Sequence, residues 1–163
     1  MTDFSSRLKK AIERGVARKT KRTEDERQKA LTEEEFKSLH SRYRLQISEH
    51  IEQNLKQLAD SFPGFKYETT FGDRGWGAAC SRDDFAGGGR GRKRSNHYSR
   101  LEVAVRPYSN LHVLELVAKG TVHNREVFNR TFFEELAEAD AERFLDLVDA
   151  WVVEFAELFA ASR

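Results

Sequence analysis

The sequence predicts an α+β domain: a long N-terminal amphipathic helix, an antiparallel meander of four or five strands, and a C-terminal helix, with both helices on one face of the sheet. Three observations predict it. Apolar residues recur from Phe36 to Phe62 with a mean spacing of about 3.7 residues, the helical period. Between residues 65 and 133, short segments of alternating polarity are separated by turn residues. A second helical stripe then runs from Phe144 to Phe159. Runs of short strands bracketed by helices, with no room for helical crossovers, imply antiparallel pairing.

Residues 1–30 form a basic arm carrying ten Lys/Arg against five Asp/Glu. Phe4, Leu8, Ile12 and Val16 recur every fourth residue, so a short helix ending near Gly15 fits, followed by a charged linker. The single domain is expected at 31–163. Thr32 and Glu35 make a capping box, with Leu31 and Phe36 at the staple positions, so the long helix is expected to start there. Its stripe is Phe36, Leu39, Tyr43, Ile47, Ile51, Leu55, Leu58 and Phe62, and Pro63-Gly64 ends it. A spacing above 3.5 drifts away from a coiled-coil seam, so the helix is expected to lie on the sheet.

Phe65–Phe71 alternates as a half-buried strand. GDRGWG (72–77) breaks it in a glycine turn, with Trp76 expected to fold onto the core. WGAACS (76–81) supplies an optional fifth strand within a glycine-rich basic loop spanning 72–97. Tyr98–Arg106 alternates strongly. Leu111–Ala118 is apolar on both faces, which suggests a central strand. Lys119–Thr121 (KGT) is expected to turn the chain into a strand at Arg125–Phe133, with Phe128 and Phe132 on one face. Asp140 is placed to cap the last helix, whose apolar face holds Phe144, Val148, Trp151, Phe155 and Leu158 or Phe159.

Composition bounds the function. Charged residues make up 34% and the net charge is +1, but residues 82–106 are basic while 107–163 carry eleven acids against five bases. Such asymmetry steers anionic partners. One cysteine, Cys80, leaves no disulfide and no cysteine metal cluster, which favours a cytoplasmic location. Nothing approaches the apolar length of a membrane span, and no membrane is expected among the partners.

Glycine-flanked Arg90, Arg92, Lys93 and Arg94, with Arg100 on the following strand, are the candidate contacts to RNA or another polyanion. Arg18, Lys19, Lys21 and Arg22 would add to the field. GGGRGRKRS lacks the spacing of a phosphate-binding P-loop, and a strand rather than a helix follows it. Trp76, Trp151 and Phe155 are candidate contacts to a protein partner or to a second copy of the chain. Catalysis ranks below binding. Cys80 with His97 forms the one conceivable reactive pair, and the five histidines have no ligand spacing. No cofactor and no metal are expected.

Overall fold

The computed structural model describes residues 3–86 and 95–162, and the side chains of 28–31, 86 and 95 fall outside that description. Its order is α1 (Phe4–Ser61), β1 (Lys66–Thr70), β2 (Trp76–Ala86), β3 (Ser95–Val105), β4 (Val113–Val122), β5 (Arg125–Glu135), a 3-10 turn (Leu136–Glu138) and α2 (Ala141–Ala161). The chain divides into two compact units, Met1–Ser38 and Leu39–Arg163.

Unit 1 is helical from Phe4 onward, and α1 continues through Thr32 without a break. The capping box therefore lies inside a helix rather than at its start. The stretch 17–35 explains this: it holds no proline or glycine, and its Lys, Arg, Glu, Gln and Ala are strong helix formers.

Unit 2 contains the whole sheet, in the order β1-β2-β3-β4-β5 with every neighbouring pair antiparallel. Each strand pairs with the next in sequence, so short connections suffice. Period-two alternation sorts the sheet into two faces. One face carries Ala78, Cys80, Leu101, Val103, Val105, Leu114, Leu116, Ala118 and Phe128, all buried. Against it lie Ile47, Ile51, Leu55 and Leu58 of α1 and Phe144, Val148, Trp151, Val152, Phe155 and Phe159 of α2. Burying a side chain of this size contributes roughly 1.5–3 kcal/mol, so this two-layer stack is the dominant stabilising term. Both helices thus cover one face, and the other is open.

Polar contacts fix how the helices sit. Asp140 caps α2 by accepting from the Glu142 amide at 3.0 Å. Tyr43 donates to the Ala139 carbonyl at 3.0 Å. Asp149 of α2 receives His50 and Asn54 of α1, each at 2.7 Å. Arg130 of β5 grips both carboxylate oxygens of Glu154. A fork of this kind sets direction as well as distance.

Two further sequence expectations are corrected. Among its described residues, the loop expected at 72–97 is largely sheet: β2 runs to Ala86, β3 begins at Ser95, and the two pair in register along their whole length. WGAACS is the first half of a full fifth strand. Second, KGT does not turn the chain. β4 continues to Val122, and the turn falls at His123-Asn124, both with positive φ (47° and 67°). That pair of left-handed residues matches the twist of a two-residue hairpin. Gly120 serves packing instead, because a Cβ there would meet the Phe128 ring at 3.0 Å.

Candidate functional site

The end of the β2–β3 hairpin carries the candidate site. Ala86 pairs directly with Ser95, so residues 87–94 connect two adjacent strand ends. Arg90, Arg92, Lys93 and Arg94 belong to that connection and lie outside the described residues. The strands that bring the connection to the sheet are fully described.

Alternation assigns the side chains there. Arg82, Asp84, His97 and Ser99 face the helices. Asp83, Phe85, Tyr98 and Arg100 face the open side. The contacts agree. Arg82 donates to Asp84 (2.7 Å) and to the Pro63 carbonyl (2.8 Å), and its guanidinium lies 5.7 Å from the Phe159 ring. The His97 ring lies tilted against His123, with centroids 5.3 Å apart, and His123 in turn meets Phe159. Phe85, by contrast, is 73% exposed. It pairs with Asn96, and Asp83 pairs with Tyr98, so Phe85 and Tyr98 are diagonal neighbours. Diagonal positions lie about 7–8 Å apart, within reach of aromatic side chains. The open face thus presents two rings where the cationic connection begins.

Asn124 secures this end of the sheet. Its side chain accepts from the Tyr98 amide (2.9 Å) and donates to the Asn96 carbonyl (2.6 Å), and its amide donates to the Tyr98 carbonyl (2.8 Å). Regular β3–β4 pairing stops at Arg100–Thr121. The β4–β5 turn therefore takes over the backbone groups of β3 beyond that point, helped by the His123 amide, which donates to the buried Ser99 hydroxyl at 3.1 Å. Left-handed Asn is a recognisable turn residue, yet the pairing of its amide with a different strand has no local signal.

Arg100 sits on the same face but is already engaged. It donates to Glu68 at 2.9 Å and to Glu102 at 3.4 Å. Glu68 is on β1 and Arg100 on β3, so their ion pair straddles β2. Ala79 and Ser81 lie in β2 beneath it. Ala79 is fully buried although it faces the open side. Arg100 therefore braces three strands, and two carboxylates already share its charge. Further along the open face, a shallow basin of about 320 Å³ is rimmed by Arg74, Arg106, Lys119, Glu102 and Glu115, with Ala104 in its floor.

The other predicted residues fall elsewhere. Trp76 opens β2 on the helix face at the far end from the hairpin tip, half-buried under the Arg44 guanidinium at 4.3 Å. Trp151 and Phe155 are 7% and 0% exposed, so their apolar surface serves this domain's own core. Cys80 pairs with Leu101 and His97 with Asp84, four residues apart along β3, or roughly 13 Å at the strand rise. The two are not brought together. Burial pushes the Cys80 thiol up to about 12, against weaker opposing effects of the Leu101 backbone and Arg100, so it carries no thiolate near neutral pH. Among the described residues no group of three His, Cys, Asp or Glu could hold a metal ion, and no helix is long and apolar enough to cross a membrane. No known protein family, curated protein or solved structure matches this chain.

Proposed function

We propose that this is a non-catalytic binding protein that contacts a single-stranded polyanion, RNA foremost, through the open-face end of the β2–β3 hairpin. The observation that carries the reading is the exposed Phe85 ring beside Tyr98, at the two strand ends joined by a segment with four cations in five residues. Single-stranded nucleic acids are held by this combination: bases stack on aromatic rings while Arg and Lys track the phosphates. Arg90, Arg92, Lys93 and Arg94 would contact phosphates. Phe85 and Tyr98 would stack bases. Arg100 would hold the strands in place. Such binding is largely independent of sequence, because every base has a stacking face.

The test is fluorescence anisotropy with a labelled single-stranded RNA across a salt series. Affinity is expected to fall steeply with salt. Replacing the four cations by Ala should flatten the slope by about three, at roughly 0.7 per phosphate contact. Phe85→Ala should weaken binding by about 1–3 kcal/mol while leaving the salt slope unchanged. Absence of binding at low salt would end the proposal.

A second reading is a scaffold that associates through α2. Val153 remains 64% exposed, and a groove of about 540 Å³ runs beside it, lined by Asn54, Leu58, Phe62, Val152 and Ala156. Light scattering across micromolar concentrations decides this one. A strict monomer removes self-association by α2.

A further inference from the structure

We propose that the Phe4–Arg22 stretch of α1 binds an anionic membrane surface, lying in the interface with its apolar face toward the acyl chains. The inference concerns unit 1 alone and is independent of the hairpin site. Every described residue from 3 to 27 is exposed. Within this continuous helix Phe4, Leu8, Ile12 and Val16 stand 77%, 49%, 59% and 60% exposed. Large apolar side chains left in water along one helix face mark an interaction surface.

The spacing selects the kind of surface. At about 100° per residue, each four-residue step turns by roughly 40°, so the four side chains sweep an arc of about 120° over three turns. Ala11 and Gly15 fall within or beside the same arc. A coiled-coil seam is narrower and repeats every 3.5 residues, which this stripe does not. A broad, continuously turning face suits a fluid interface that has no register of its own.

The charges select its sign. Phe4–Arg22 holds eight Lys/Arg and one acid, Glu13. Arg7, Arg14 and Arg18 flank one edge of the arc and Lys9 the other, while Lys19 and Arg22 fall on the arc itself just past Val16 and end the apolar face there. Their stems can lie along the apolar layer while the charged heads reach lipid phosphates. Just beyond, Glu24-Asp25-Glu26 reverses the sign, which limits the attracted segment. Nucleic acid would meet the cations equally well, but its backbone offers no apolar sink for Leu8, Ile12 and Val16. A helix lying in the interface needs one wide apolar face and no spanning length, so the lack of a membrane-crossing helix does not bear on it.

The experiment is co-sedimentation of the full chain with phosphatidylcholine vesicles, with and without phosphatidylserine. Binding is expected only to vesicles containing phosphatidylserine, and it should weaken with salt. Leu8→Glu/Ile12→Glu should lower partitioning at least about tenfold. Arg7→Glu/Arg14→Glu should do the same. In a Phe4→Trp variant, emission should shift to the blue on adding the anionic vesicles and stay unchanged with phosphatidylcholine alone. Circular dichroism confirms that each variant is folded. No sedimentation with anionic vesicles at low salt overturns the proposal. So does wild-type partitioning by Leu8→Glu/Ile12→Glu, because adsorption would then be charge alone. Loss of RNA binding in that variant, without vesicle binding by the wild type, assigns the stripe to another partner and equally overturns it.

Discussion

His40 shows how one side chain becomes part of the fold. It is almost fully buried, and its Nε2–H donates to the Arg106 carbonyl at 3.2 Å, tying α1 to the end of β3. The Tyr108 ring packs edge-on against it. Burial holds its pKa below the usual 6.5, the carbonyl contact opposes this, and Arg44 adds to the lowering. The folded state therefore keeps His40 neutral while the unfolded chain takes up a proton more readily. Stability from this group is complete above pH 6.5 and is lost as pH falls through that value toward the folded-state pKa. Urea unfolding at a series of pH values should show this decline, and His40→Asn should flatten it at the cost of some stability at neutral pH. On sequence alone His40 reads as a boundary residue beside an apolar stripe, because its acceptor lies 66 positions away.

At the scale of elements, glycine positions separate packing from turns. Gly77 lies inside β2, where a Cβ would come within 1.9 Å of the Val103 carbonyl oxygen. The obstacle is backbone, which cannot swing aside. Gly77→Ala is expected to destabilise by about 3 kcal/mol in urea unfolding, by overpacking. Gly15→Ala is the contrasting control: nothing lies within 4 Å of its would-be Cβ. In an exposed helix the change should be neutral, or stabilise the helix by about 0.5–1 kcal/mol. The same ambiguity explains the misplaced β4–β5 turn. Gly120 looks like a turn residue in sequence but makes room for Phe128, while His123-Asn124 turns the chain without a glycine. Several local signals hold, though not the capping box at Thr32: α1 stops at Ser61 ahead of Pro63-Gly64, Asp140 caps α2, and Phe128 and Phe132 share the helix-facing side of β5. The length of β2 was not legible, because Arg82, Asp83 and Asp84 read as solvated loop. Only pairing with β3 across eleven registered positions makes them strand.

For the whole molecule, the division into units makes a direct prediction. Among the described residues, the buried ones run from His40 through Phe159 and all fall within Leu39–Arg163. A fragment with these bounds should fold alone and unfold cooperatively, with the near-ultraviolet circular dichroism of the full chain. A fragment lacking fixed aromatic signals would show that the core depends on residues 1–38. The vesicle-binding stretch would be absent from this fragment and the hairpin site retained, so the two proposed activities should separate cleanly.

The sequence by itself determined the α+β class, the helix and strand order and the inward faces of both helices. Periodicity and capping are local and are written into neighbouring residues. It also marked the cations of 90–94 and the apolar repeat of Phe4 to Val16. The tertiary structure left the apolar repeat exposed. It set Phe85 and Tyr98 at diagonal positions through the β2–β3 register, engaged Arg100 with Glu68 and Glu102, and gave Trp151 and Phe155 to the core. It also separated Cys80 from His97. The reason is physical: which side chains meet across a sheet depends on strand register. Register is set jointly by which face is buried and by the turn that joins two strands, so neither strand's own residues reveal its partner positions.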